Sequence, residues 1–180
     1  MLSTTGALPR KILWLCWKRR DGRLRLRTSS HGAILLRRGM SRPEFARLLS
    51  CVEEVNLPWA KFAAVLMLGC ARLTLEHTGA PYETAEHDLG LASANLVFEA
   101  TARGLAVHQM IHIHRDLARR LYQIPEGVKP VAGLAVGYAG GGERLPDALR
   151  KEDLTRHPRK PLDAFVFSGS WAQASSLVAK

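Results

Sequence analysis

Apolar residues recur at intervals of three and four through Leu89, Ala92, Leu96 and Ala100, which places them on one face of a helix and does not fit strand alternation. The spacing predicts a helix over about 84–103, with Glu99 off the stripe in solvent. Gly104 stands where a helix end favours a residue tolerant of positive φ, so the chain can turn there. Leu105 to Met110 then reads as a short, largely apolar strand. A strand that runs out into polar residues often opens onto a ligand.

Two continuous apolar runs, 63–70 and 131–138, have strand length and predict strands buried on both faces. Ser41 as N-cap, Pro43 in the first turn and Glu44 at the capping-box position predict a helix start. Phe45, Leu48, Leu49 and Val52 follow at helical spacing. A shorter helix is expected at about 115–122 and a β-like run at 164–167. Helices and strands in this order predict an α+β fold with a central sheet. Gly140 to Gly142 reads as a flexible turn, because no GKS/T or GxGxxG context accompanies it.

The pattern changes near Met40. Before it, Arg19 to Ser30 alternates charge with leucine, strand-like but with no evident partner. Residues 1–39 are therefore set apart as an atypical basic segment, and 40–180 as the domain. A chain of 180 residues supports one core, burying roughly 70% of its unfolded surface. An apolar fraction of 47% and a charged fraction of 23% exclude wholesale disorder and fibrous repeats.

Charge refines this further. The net charge is +10, yet residues 1–40 hold ten Lys and Arg against the single acid Asp21, which leaves only +1 for the rest. Without basic residues woven through a stacking module, no nucleic-acid partner is expected. Cys16, Cys51 and Cys70 are odd in number and widely spaced, which argues against a disulfide framework or a CxxC knuckle and for a reducing cytoplasm. The run 12–17 is too short for a membrane span or a signal-peptide core, so no membrane partner is expected.

His108, His112 and His114 raise a metal site. No Cys or carboxylate cluster stands at ligand spacing beside them, so no metal is expected. Asp88, after Glu86 and His87, reads as a first-turn residue favoured by the helix dipole. The basic cluster from Arg156 to Leu162 reads on composition alone as solvated. No nucleophile constellation can be argued from spacing. No catalytic side chain is assigned, and any chemistry is expected to come from a cofactor.

From about Met40 to Trp171 the chain resembles the nitroreductase family of FMN-dependent oxidoreductases. The resemblance rests on six pieces in order: Asn56-Leu-Pro-Trp-Ala60, Asp88-x-Gly-x-Ala-x-x-Asn95-Leu, Gly104 to Met110, Ile124-Pro-Glu-Gly127, Ala135-Val-Gly-Tyr138, and Arg159-Lys-Pro-Leu162 with Trp171. It implies a mixed central sheet flanked by helices and an intertwined homodimer holding FMN at the subunit interface. It further implies NAD(P)H as electron donor and nitro compounds, quinones or similar small molecules as acceptors. Carried over by position, the backbone around Gln109, Met110, Ile111 and His112 would face the flavin ring. Arg159, with His157, would meet the phosphate, and Asn56 is a further cofactor contact.

Two departures accompany the resemblance. Ile111-His-Ile-His114 replaces the family's Gly-Gly-Phe-Asp type of sequence, so side chains stand where glycine leaves room. Residues 1–39 contain neither the family's Arg-Arg-Ser-x-Arg type phosphate grip nor its paired-serine segment. They read as a mis-started or out-of-frame version of that part. The alternative function is accordingly a truncated or degenerate family member that binds a ligand or dimerises without turnover.

Overall fold

The computed structural model describes residues 2–3, 33–36, 42–143 and 145–178. Arg19 to Ser30, the run 12–17, Cys16 and the N-cap position Ser41 lie outside the described residues. The chain divides into two compact units, Met1–Pro146 and Asp147–Lys180.

The first unit is built on five strands: β1 (Leu2–Ser3), β2 (Ala33–Leu36), β3 (Val65–Arg72), β4 (Ala106–Met110) and β5 (Val128–Ala139). β5 pairs with β3 and β4, β2 extends the sheet beyond β3, and β1 pairs with the end of β5 at Tyr138 and Ala139. Every pairing among the described strands is antiparallel, where the resemblance implies a mixed sheet. The reason is topological. β3 and β4 run the same way across a helical crossover, but β5 lies between them and opposes both.

Helices cover the two faces. On one, α3 (Ala85–Ala102) seats Leu96 and Ala100 against Val65, Met67, Leu134, Val136 and Leu105. On the other, Leu66, Leu68, Cys70, Ala135 and Met110 pack with residues of α1 (Arg42–Leu49), α2 (Leu57–Ala60), α4 (Arg115–Tyr122) and their loops, among them Leu48, Ala60 and Ala118. Both faces of β3 are therefore covered, which explains its unbroken apolar sequence.

The predicted elements stand with local corrections. In α3 the buried positions are Ala85, Leu89, Ser93, Leu96 and Ala100, so Ser93 takes the place expected for Ala92. Gly104 has φ of +72° just past the helix. Glu99 is not in solvent: its side chain is 12% exposed and pairs with Arg103 one turn on, the Arg103 Nε–H donating to Glu99 Oε1 at 2.8 Å. α1 ends at Leu49, and Val52 leaves the helix to form a bridge with Ile113. β5 begins three residues early. Pro130 sits within it opposite Cys70, where the register shifts between Gly69 and Cys70, because proline brings no ladder donor.

The second unit holds α5 (Asp147–Leu154) and a 3-10 turn at Leu162–Ala164. That turn occupies the start of the expected β-like run; only Phe167 forms a bridge, to Ala174. Gly169 and Ala172, both at positive φ, shape the reversal between them. Phe167 and Trp171 contact at 5.3 Å between ring centroids. An open depression of about 460 Å³ runs along Phe165, Phe167, Ser168, Gly169, Ser170 and Trp171.

Candidate functional site

β4 is paired to β5 on one side only among the described strands, so its other edge carries backbone groups without a strand partner among them. Alternation sends Met110 into the core beside Gly133 and Ile113. Gln109 is exposed on the opposite face. Just beyond the strand, Ile111 is 66% exposed and His112 is exposed. Of the four residues expected to face a cofactor here, three are therefore accessible and Met110 is a core residue.

The segment 51–60 runs alongside and is tied to this stretch at several points. Val52 bridges Ile113, the Glu53 N–H donates to the His112 carbonyl at 3.1 Å, and the His114 N–H donates to the Cys51 carbonyl at 2.8 Å. The Ile113 N–H also donates to the Ile111 carbonyl at 3.0 Å, folding the chain tightly about His112. Trp59 of α2 lies against His108 of β4 with ring centroids 4.4 Å apart and planes tilted by 56°. Pro58 in the first turn of α2 presets its start.

Asn56, immediately before α2, is 8% exposed. Its backbone carbonyl accepts from the Ala60 N–H at 2.9 Å, but its side-chain Nδ2 is buried with no hydrogen-bond partner. Such an atom forfeits hydration without return, and a ligand acceptor would restore the bond. Two residue sets expected separately from sequence, Asn56 and Gln109 to His112, are thus carried on segments that the fold binds together. His157 and Arg159 belong to the second unit, exposed in the irregular stretch between α5 and the 3-10 turn.

Two of the three histidines raised as ligands have other contacts. His108 has Trp59, and His114 Nε2 lies 3.6 Å from Glu54 Oε1. Asp88 accepts a hydrogen bond from the Tyr82 hydroxyl, a structural role inside the first turn of α3. The free thiols Cys51 and Cys70 are buried. Burial raises both pKa values, Cys70 to about 11, with Arg119 pulling the other way. The Trp59–His108 contact was not readable from sequence, since it joins positions forty-nine apart through the placement of α2; the only available signal was that His108 shares a strand face with Met110.

Helices packed on both faces of an antiparallel sheet make the first unit an α+β fold. No family model matches the chain. Its structure is similar to that of an oxidoreductase containing FMN, at a TM-score of 0.82 and 25% identity, covering 96% of this chain and 87% of that one. It is also similar to the NfrA1 nitroreductase from B. subtilis (TM-score 0.69, 21% identity, 95% and 70% covered). A third likeness is to nitroreductase A from Vibrio parahaemolyticus RIMD 2210633 (0.65, 12%, 98% and 72%). In sequence, the chain is 33% identical over 129 residues to an uncharacterized 15.4 kDa protein of Mycolicibacterium smegmatis, covering 71% of this chain and 84% of that protein. The fold is that of the nitroreductases. The chain belongs to one family with the mycobacterial protein.

Proposed function

We propose that the chain is an FMN-dependent oxidoreductase of the nitroreductase kind, taking electrons from NAD(P)H and delivering them to nitro compounds, quinones or similar small acceptors. The observation that carries the reading is the unpaired Asn56 Nδ2 on a segment tied to the exit of β4, in a chain whose fold matches that of an FMN-containing oxidoreductase. These groups fit a flavin. Its ring carries carbonyl acceptors for an orphaned amide donor, and its edge suits the exposed backbone of a strand.

Bound FMN would supply the electron chemistry, leaving binding, orientation and solvent exclusion to the protein. Asn56 Nδ2 would be the donor to a ring acceptor, and the stretch from Gln109 to His112 would line the ring. Arg159 and His157, which the structure describes in the second unit by itself, are assigned to the phosphate on the resemblance alone, where they would act through charge-assisted hydrogen bonds. The outer face of α3 supports a homodimer: Leu91 and Phe98 lie on one stripe, and Phe98 is 72% exposed, which is costly for a lone chain. Two buried thiols and the expected supply of NAD(P)H suit the cytoplasm. Among the described residues no helix is long and apolar enough to cross a membrane.

The exposed Ile111 and His112 side chains favour a second reading, ligand binding without turnover, because they crowd the stretch a flavin would approach. Titrating FMN with the full chain and following quenching of flavin fluorescence separates the cases. The proposal expects a yellow protein holding one FMN per chain. Tight FMN with no NAD(P)H-driven reduction would favour the second reading, and colourless protein that excess FMN cannot load would overturn the enzyme reading.

A further inference from the structure

Resting on that reading, we infer that Trp59 is a positioning residue, holding the edge of β4 in place for the cofactor through its stack on His108. β4 has five residues and one paired neighbour among the described strands, and strands held this way open more readily than central ones. Its exit is fastened to the segment 51–60 by the Val52–Ile113 bridge and by the two backbone bonds joining Glu53 to His112 and Cys51 to His114. Two strand positions before Met110 lies His108, against which the Trp59 ring packs at 4.4 Å. The stretch expected to face the ring, Gln109 to His112, is therefore fastened at both ends to one segment and carries no such contact in its middle at Gln109.

The same segment carries Asn56, three residues before Trp59, with its Nδ2 buried and unpaired. The short helix of Trp59, tied to Asn56 by the Ala60 N–H donating to the Asn56 carbonyl at 2.9 Å and anchored by the buried Ala60, thus links the donor to the strand edge. Trp59 itself touches no cofactor atom in this account. It acts through His108, so its loss shifts the edge without removing a ligand contact. A tilted aromatic pair contributes on a scale that corresponds to about a two- to tenfold change in an equilibrium.

Hydrogen exchange of the full chain, read by peptide mass spectrometry, tests the inference with Trp59→Leu and Trp59→Phe, alongside FMN titration. Trp59→Leu should speed exchange in peptides covering 106–112 by about tenfold, leave β3 peptides unchanged, and weaken FMN binding by about tenfold. Trp59→Phe, which keeps a ring against His108, should restore most of both. Unchanged exchange over 106–112 in Trp59→Leu overturns the inference whatever the flavin does. Faster exchange there with unchanged FMN affinity also overturns it, because the stack would then be structural only. If the wild-type chain takes no FMN, the flavin reading fails, and with it any positioning role for Trp59 toward a cofactor.

Discussion

Asn56 combines near-complete burial with an unsatisfied amide, which separates ligand affinity from stability. Truncating it removes a donor that gains nothing in the chain by itself, so Asn56→Ala should cost the unliganded protein under about 1 kcal/mol. The same variant should weaken FMN by about tenfold or more; equal affinity by fluorescence titration would remove Asn56 from the site. Cys70 makes a different statement at this scale. Burial lifts its pKa from 9.0 to about 11, so the folded chain keeps the proton after the unfolded chain has lost it. Stability from this group is complete below pH about 9, falls as pH rises toward about 11 and then levels off, a loss on the order of 2–3 kcal/mol. Urea unfolding at pH 8 and pH 10.5 should show that extra loss in the wild type and its absence in Cys70→Ala.

At the scale of elements, periodicity made most of the architecture legible. The apolar stripe from Leu89 to Ala100 and the glycine at 104 mark α3 and its stop because both follow from local geometry. The double-sided burial of β3 likewise shows in its composition. What escaped was set by distant partners. The strand expected from 131 begins at Val128 and takes in Pro130 at a register shift against β3. The run at 164–167 has strand composition but no neighbouring strand to pair with beyond the single Phe167–Ala174 bridge. Among the candidate site residues, Gln109 to His112 came from the family resemblance rather than from periodicity, whereas the tilted Trp59–His108 contact required the fold. Arg119 shows how one side chain can secure an element junction. Its guanidinium donates to the carbonyls of Ile124 at 3.0 Å, Pro125 at 2.6 Å and Val128 at 2.9 Å, closing the turn from α4 into β5. Arg119→Ala should lower the unfolding free energy by about 2–3 kcal/mol, and a change within 0.5 kcal/mol in denaturant titration would contradict that role.

For the whole molecule, the charge of +10 is concentrated in the first forty residues, so it carries little information about the site. The apolar outer face of α3 carries more. If two copies associate through it, Phe98→Asp should convert dimer to monomer in light scattering coupled to size exclusion, since burying a phenylalanine contributes about 2–3 kcal/mol per copy. A variant that stays dimeric would move the interface elsewhere. The central claim is that the open edge of β4 and the segment beside it hold a working flavin. Anaerobic titration of the FMN-loaded chain with NADH and with NADPH tests this most directly. The account predicts that at least one donor bleaches the visible flavin band and that a quinone or nitro compound restores it. A bound flavin that neither donor reduces would contradict it.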